Sequence, residues 1–293
     1  MKKDLTNVTF IIPLFIDTDD RLRNIVLTIA FLLHHFDTNI IIKEVADESA
    51  FIEYAKPILD RLVEDQTGLT HIFEPSTRSD DSFHRTKVLN DMIMMSKTDI
   101  VVNYDSDILL PVESYLEAVE LLKTCDVVYP YRFGLEGERK VKLETNFEHQ
   151  LAIDNFESHP ELFVFIKSGY NLDAFDTKYF YYPHAQGKGW AEYGMVQFFK
   201  RQVYIDGYLE NEGFIAYAPE DLERFHRWKT LGYDIQRIDR YAYHLEHKRT
   251  PNSWFNNPFM QHNTELWNYL KNLSKEELIE YYNQQDYVRE RLK

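Results

Sequence analysis

Cysteine is almost missing from this 293-residue chain, with Cys125 standing alone. A single thiol cannot form an intrachain disulfide, so the fold must hold by packing, and such sparse usage fits a reducing cytoplasm. Uninterrupted apolar runs of about 18 residues are also missing, which leaves no segment suited to crossing a bilayer and restricts any membrane contact to a peripheral one. The opening MKKDLTNVTFIIPLF has two lysines and then an apolar run. Asn7, Thr9 and Pro13 interrupt that run and no small-residue cleavage pattern follows closely, so it reads as a first strand rather than a leader. Basic residues are the minority, 33 Lys and Arg against 48 Asp and Glu, for a formal charge of −15. Without a Lys/Arg stripe to displace counterions, nucleic acid and anionic membrane are excluded as main partners, and any bound phosphate needs a local site.

What is present is enough apolar residue, 44%, for a sizeable core, and an aromatic share of 15% with twenty Tyr and twenty Phe. Most of these rings belong to core and strand packing, and some suit the apolar faces of sugars. VTFIIPLF (8–15) reads as a strand, and LRNIVLTIAFLLHHF (22–36) carries apolar residues at one-face helical spacing. IIIKEVAD (40–47) is a second strand, FIEYAKPILDRLVED (51–65) a helix bent or interrupted at Pro57, and LTHIFEP (69–75) a third strand. HRTKVLNDMIMMSK (84–97) is a helix and DIVVNYD (99–105) a strand. This alternation predicts a mostly parallel sheet flanked by helices, with ligands bound beyond the carboxyl ends of its strands. A helix at 113–123 and a strand at 126–131 follow, and regularity then falls away through 132–190. VQFFKRQVYID (196–206) reads as a strand turning back. EDLERFHRWKTLG (220–232) reads as a helix stopped at Gly232, and YDIQRID as a returning strand. The pattern SKEE (274–277) is a capping box that opens a polar terminal helix. One composite domain over 1–273 is expected, with about 1–131 as its nucleotide-facing half, about 132–273 as its acceptor half, and 274–293 as a helical tail.

Three constellations carry chemistry. In VVNYDSDILLP (101–111), Asp105 and Asp107 stand at the carboxyl end of a strand. A carboxylate pair there can hold a hard divalent cation that neutralises a diphosphate, although the same pair can simply end a strand in water. In YAPEDLERF, Glu220 and Asp221 start a helix. Acidic residues complement the helix dipole there, and the apolar FIAYA before them also favours partial burial and general-base behaviour. In YHLEHKRTPN, His244 and His247 can complete a metal site already begun by a carboxylate, or remain two surface histidines.

The ordered set FHRTKVLN (83–90), VVNYDSDILLP, EYGMVQFF (192–199), FIAYAPEDLERFHR (214–227) and HLEHKRTPN (244–252) resembles the β-1,4-galactosyltransferase family. Family 2-like glycosyltransferases are its neighbours among inverting enzymes of the GT-A fold. The resemblance spans roughly residues 8–265. It implies that Phe83, His84 and Arg85 help hold the nucleotide, with Asp105 beside the ribose and Asp107 ligating the metal. It also implies His247 as a second metal ligand and His244 where the animal enzymes have a methionine ligand. Glu220 would contact the acceptor and Asp221 would act as base. The family's Trp-Gly-Gly is here Tyr217-Ala218-Pro219, and its double glycine near the donor is Tyr193-Gly194, so sugar identity does not transfer. The segment after His247 corresponds to one that closes over bound donor, with Trp254 as a candidate contact.

The resemblance thus implies a metal-dependent inverting transfer of a hexose or N-acetylhexosamine (Gal, GalNAc, Glc or GlcNAc) from a UDP-sugar to an acceptor hydroxyl. The acceptor would be a carbohydrate or glycoconjugate in polysaccharide or glycoconjugate synthesis. Mn²⁺, or else Mg²⁺, is the expected cofactor, and Pro13, Leu14 and Glu44, at the ends of the first two strands, are expected near the nucleotide. Two alternatives remain open. A non-catalytic nucleotide-sugar or glycan-binding module would keep the fold without turnover. A sugar-nucleotide pyrophosphorylase would share the sheet and metal, but the glycine-free IPLFIDTDDR lacks its expected loop. An aspartate-nucleophile phosphohydrolase is disfavoured, because its D-x-D follows the first strand.

Overall fold

The computed structural model describes residues 1–77, 82–134, 137–143, 156, 158–181, 193–253 and 257–292. The strand expected at 8–15 extends further back, as β1 (Lys3–Leu14). It leads into α1 (Asp19–His35), where Thr18 caps the first turn by accepting from the Arg21 amide at 3.3 Å. Then come β2 (Phe36–Ala46), α2 (Lys56–Leu62) and β3 (Leu69–Pro75). The 51–65 segment changes helix type at Pro57, the interruption expected there. A π-helical turn over Phe51–Ala55 runs directly into α2, so proline falls in the first turn, where its missing N–H costs nothing. α3 (Arg85–Met95), β4 (Ile100–Tyr104), the short β5 (Ile108–Leu109), α4 (Val112–Leu121) and β6 (Val127–Tyr129) continue the alternation.

Beyond these lie β7 (Glu138–Val141), α5 (Pro160–Lys167), β8 (Phe180–Tyr181), β9 (Val196–Lys200) and α6 (Arg201–Asp206). The stretch 196–206, read as one strand, is therefore half strand and half helix. Its continuous burial ends at Lys200, and Arg201 turns the chain by donating to the Ile93 and Met94 carbonyls. The remaining elements are α7 (Glu220–Leu231), β10 (Ile235–Arg237), β11 (Ala242–Leu245), α8 (Met260–Leu270), α9 (Lys275–Asn283) and α10 (Asp286–Arg291). Gly232 takes the left-handed conformation that ends α7, and the Ser274–Glu277 capping box opens α9.

Seven strands form the central sheet in the order β10-β6-β9-β4-β1-β2-β3. All its pairings are parallel except those of β9, which runs antiparallel between β4 and β6. The middle strands are buried on both faces, as a sheet sandwiched between helices requires. A second sheet, β5-β11-β7-β8, sits where Asp107 leaves β4. The main core is built on the central sheet, and a smaller one joins Phe214 and Leu270 to Leu278, Tyr282, Tyr287 and Val288. The C-terminal helices are thus packed: the Tyr282 hydroxyl donates to Glu223 of α7 at 2.5 Å, and Arg291 pairs with Asp91 of α3 at 2.8 Å. No described helix is long and apolar enough to cross a membrane.

Candidate active site

The strand order puts β1 beside β4, so the loops after both open on one cleft. At one end stands Asp107. The two-residue strand β5 follows it at once and pairs antiparallel with β11, with His244 opposite Ile108. The Leu245 amide also donates to the Asp107 carbonyl at 2.8 Å. The strand carrying the first histidine is thereby stitched beside the aspartate. His247 lies just past the end of β11, where the buried Arg23 and Asn24 of α1 donate to the Glu246 carbonyl and fix the turn.

The result is a compact cluster. His247 Nε2 lies 3.1 Å and His244 Nε2 3.6 Å from Asp107 Oδ2, and one ligand atom from each residue falls within 4.8 Å of the others. Both rings are anchored through their other nitrogen, His244 Nδ1 at 2.6 Å from Glu138 Oε1 and His247 Nδ1 at 2.9 Å from the Lys248 carbonyl. With its Nδ1 protonated toward the Lys248 carbonyl, His247 turns the Nε2 lone pair to the cluster, the arrangement that supports a histidine ligand, while His244 Nδ1 is shared between Glu138 and the Lys140 ammonium. Two imidazoles and a carboxylate suit Mn²⁺ better than Mg²⁺, which prefers oxygen, so the donor set fits the expected metal. Burial opposes ionisation of Asp107, but His244 and His247 outweigh it and hold the carboxyl well below its usual range. His244 is shifted upward: burial and Lys140 work against its charge, and Asp107 and Glu138 more than compensate.

At the other end the carboxylates are differently placed. Arg85, at the start of α3, donates from Nη2 to Asp105 Oδ1 at 2.6 Å, and its Nη1 lies 3.9 Å from Glu220 and 3.8 Å from Asp221. That Nη1 is buried and makes no hydrogen bond among the described residues, only these two longer ion pairs. Behind it Arg224, one turn along α7, bonds Asp221 at 2.5 Å and Glu210 at 2.7 Å. Burial, then the charge of Asp221, raises the Glu220 carboxyl to about 8, with Arg85 offsetting only part of this. Asp105 is raised by burial and by Asp107 and Asp221, against the pull of Arg85. Gly194 is needed here, because a Cβ on it would lie 2.7 Å from Asp221 Oδ2.

The cleft gathers Pro13, Phe83, Arg85, Asp105, Asp107, Tyr217, Glu220, Asp221, His244 and His247 of the residues singled out in the sequence. It does not gather Leu14 or Glu44. Leu14 points into the core, and the fully buried Glu44 is taken up by Ser49, the Phe51 amide and His71. His84 faces an adjoining cavity, shared across the stacked rings of Phe15 and Phe83 and lined by Lys43, Asp47, Glu74 and Asp91. Trp254 lies outside the described residues. Sequence reading missed Arg21 and Arg249, which bring positive charge to the cleft, and the supporting Arg23, Glu138 and Arg224. Arg224 was legible as the i+3 neighbour of Asp221 on a helix, and Arg23 as a charge inside an apolar helical face. Glu138 had no local signal.

No family model matches this chain, and no curated protein matches it in sequence. Solved structures do. Staphylococcus aureus TarS, in complex with UDP-GlcNAc, aligns over 95% of this chain and 69% of its own at 10% identity and a TM-score of 0.51. The mannosyltransferase PcManGT from Pyrobaculum calidifontis, in complex with GDP-Man and Mn²⁺, aligns over 82% of this chain at 13% identity and a TM-score of 0.45. This chain spans only 56% of that protein's length. The catalytic domain of Drosophila β1,4-galactosyltransferase 7, in complex with xylobiose, aligns over 86% of this chain and 78% of its own at 14% identity and a TM-score of 0.40. With its mostly parallel seven-stranded sheet between helices, the chain has a GT-A-like glycosyltransferase fold.

Proposed function

We propose that the protein is an inverting, Mn²⁺-dependent glycosyltransferase that moves a hexose or N-acetylhexosamine from a UDP-sugar to an acceptor hydroxyl. One observation carries the reading: a single cleft beyond the carboxyl ends of β1 and β4 has the Asp107, His244 and His247 cluster at one end and Arg85, Glu220 and Asp221 at the other. The three residues of the cluster would hold the metal, which when bound neutralises the diphosphate and eases its departure. Arg85, Arg21 and Arg249 put three guanidinium groups in the cleft beside its carboxylates, and together with the metal they would offset the charge of the phosphates. Glu220, protonated at neutral pH, donates a hydrogen bond to an acceptor oxygen and orients it. Asp221 takes the acceptor proton as that oxygen bonds to the anomeric carbon from the face opposite the leaving group. The bond from the anomeric carbon to the β-phosphate oxygen breaks, and its electron pair leaves with UDP. The base and ribose would reach toward the cavity behind Phe15 and Phe83.

A panel of UDP-sugars with Mn²⁺, read by thermal stabilisation and by UDP release, tests this. At least one UDP-sugar should raise the melting temperature only with Mn²⁺ and release UDP when an acceptor is added. Asp107→Ala should abolish both effects. Full metal-dependent turnover by Asp107→Ala would overturn the metal assignment, and activity confined to GDP- or CMP-sugars would overturn the nucleotide. Metal-independent UDP binding without UDP release would favour a non-catalytic binding module.

A further inference from the structure

An aromatic track leaves the cleft beside Asp221, and the reaction proposed above makes no use of it. Phe225 lies four residues after Asp221 on α7, hence on the same helical face one turn along. Its ring packs on Tyr193 at 4.4 Å between centroids, and Tyr193 meets Phe133 edge to face at 6.4 Å. Tyr193 precedes Gly194, on which a Cβ would lie 2.7 Å from Asp221 Oδ2, and its carbonyl accepts from Arg224 at 3.3 Å. The track therefore starts at the catalytic carboxylate and runs outward to Phe133, which is 56% exposed.

An exposed phenylalanine on a mobile loop would mean little, but this ring is fixed. The Arg237 guanidinium stacks on it at 5.3 Å and also covers Tyr131 at 5.1 Å and Tyr129 at 4.5 Å. Tyr131 in turn donates to the Gly194 carbonyl at 2.5 Å. A ring held this way loses little freedom when a ligand covers it. Next to it in the chain, Arg132 pairs with Asp239 at 2.5 Å, with the aspartate side chain 85% exposed. Planar charged groups beside an open aromatic face are what a sugar ring requires, because its C–H face is apolar and its rim is a ring of hydroxyls. An anionic or nucleic-acid ligand fits poorly on a chain of charge −15.

We infer that Phe133, Tyr193 and Phe225 form a stacking subsite for the acceptor, which is a glycan longer than one sugar rather than a lone monosaccharide or a peptide. The inference rests on the proposed glycosyl transfer, because it takes Asp221 as the point of attack. The terminal sugar would present its hydroxyl to Asp221, and a sugar further back along the glycan would cover Phe133.

Saturation-transfer NMR titrations of the full chain with UDP and Mn²⁺ test it. The probes are glucose, galactose and N-acetylglucosamine, and the β-linked disaccharides and trisaccharides of each. At least one trisaccharide should bind more tightly than its monosaccharide. Phe133→Ala should weaken that trisaccharide about tenfold while shifting the monosaccharide less than twofold, and Phe133→Trp should restore the affinity. Because Phe133 is exposed, circular dichroism of both variants should match the parent. Equal affinities of parent and Phe133→Ala for every saccharide, or no dependence on glycan length, or no saccharide bound, would each overturn the subsite. The UDP-sugar and Mn²⁺ stabilisation assay, run in parallel, separates the two claims. If donor stabilisation is present and glycan discrimination absent, only the subsite fails; if donor stabilisation is absent, the transferase reading fails.

Discussion

Asp107 and Glu220 line opposite ends of the same cleft and are almost equally buried, with 5% and 6% of their surfaces exposed. Their proton affinities nevertheless move in opposite directions, the first well down and the second up to about 8. Burial raises both, so it cannot explain the difference. The neighbours do. Asp107 faces two imidazoles at 3.1 and 3.6 Å, whereas Glu220 has Asp221 beside it and pairs with Arg85 only at 3.9 Å. One end is therefore built to keep a negative charge for a cation, and the other to keep a proton near a second carboxylate. Two carboxyl groups pushed apart in this way let one cleft hold both a carboxylate suited to a cation and a carboxylic acid able to donate a hydrogen bond.

If the two ends do separate jobs, damage to each should be visible in a different measurement. The largest effect is expected at Asp221. Asp221→Asn keeps an acceptor for Arg224 but removes the base, so kcat should fall by about 10²–10⁴ while Mn²⁺ and UDP-sugar affinity stay within about threefold of the parent. Steady-state kinetics beside calorimetric titration checks this. A matching loss of Mn²⁺ affinity would mean that the two ends act as one unit.

Next in size is a change behind the metal end. Glu138 accepts from His244 Nδ1 and pairs with Lys140 at 2.8 Å, and its own carboxyl is pulled down to about 2: burial opposes this, and His244 and Lys140 prevail. Glu138→Gln leaves the Lys140 charge beside the imidazole without its partner. Mn²⁺ affinity, measured by calorimetry or by the electron paramagnetic resonance of free Mn²⁺, should fall about 10–100-fold. Turnover at saturating Mn²⁺ should recover most of its parent value, which Asp221→Asn cannot do.

Glu138 also marks what could not be read from the sequence. The half up to β6 was legible because short apolar, β-branched runs alternate there with helical spacing of apolar residues, and Asp105, Asp107 and Arg85 sit at predictable ends of those elements. Glu138 reaches His244 through the parallel pairing of β7 with β11, about a hundred residues apart, which no local pattern encodes. Glu44 misled for the opposite reason. It stands at the end of a well-read strand, but a fully buried carboxylate must find donors, and Ser49, Phe51 and His71 supply them away from the cleft. Strand ends locate a cleft; they do not say which way a side chain turns.

Stability against pH gives a third and smaller test of the comparison. Between the ordinary carboxyl value of 4.5 and about 8, folded Glu220 keeps a proton that the unfolded chain has released. This contribution is fully present below the ordinary value and is lost as pH rises through about 8. Glu220→Gln has no proton to lose. Thermal melts of parent and variant should therefore diverge as pH rises from 5 to 9, with the variant gaining by several degrees. Curves that stay parallel across that range would remove the physical basis for Glu220 as a hydrogen-bond donor.

The smallest effect is expected in the segment just before Glu220, where the resembling family has two glycines and this chain has none. Ala216 and Ala218 nonetheless adopt positive φ, 59° and 51°. A left-handed alanine costs roughly 1–2 kcal/mol, so something must hold it there. Asn263 of α8, fully buried, does so by donating to the Ile215 carbonyl at 2.8 Å and the Ala218 carbonyl at 3.0 Å while accepting from the Ile215 amide at 3.3 Å. Ala218→Gly would relieve the strain but add freedom to the unfolded chain, which cancels about half the gain. A net stabilisation of about 0.5–1 kcal/mol is expected, seen as a rise of about 1–3 °C in Tm. Transfer activity should change by less than about twofold, because Asn263 already holds the backbone of Ile215, Tyr217 and Ala218. A larger loss of activity in Ala218→Gly would show that the rigidity of this turn, and not only its shape, serves the carboxylate end.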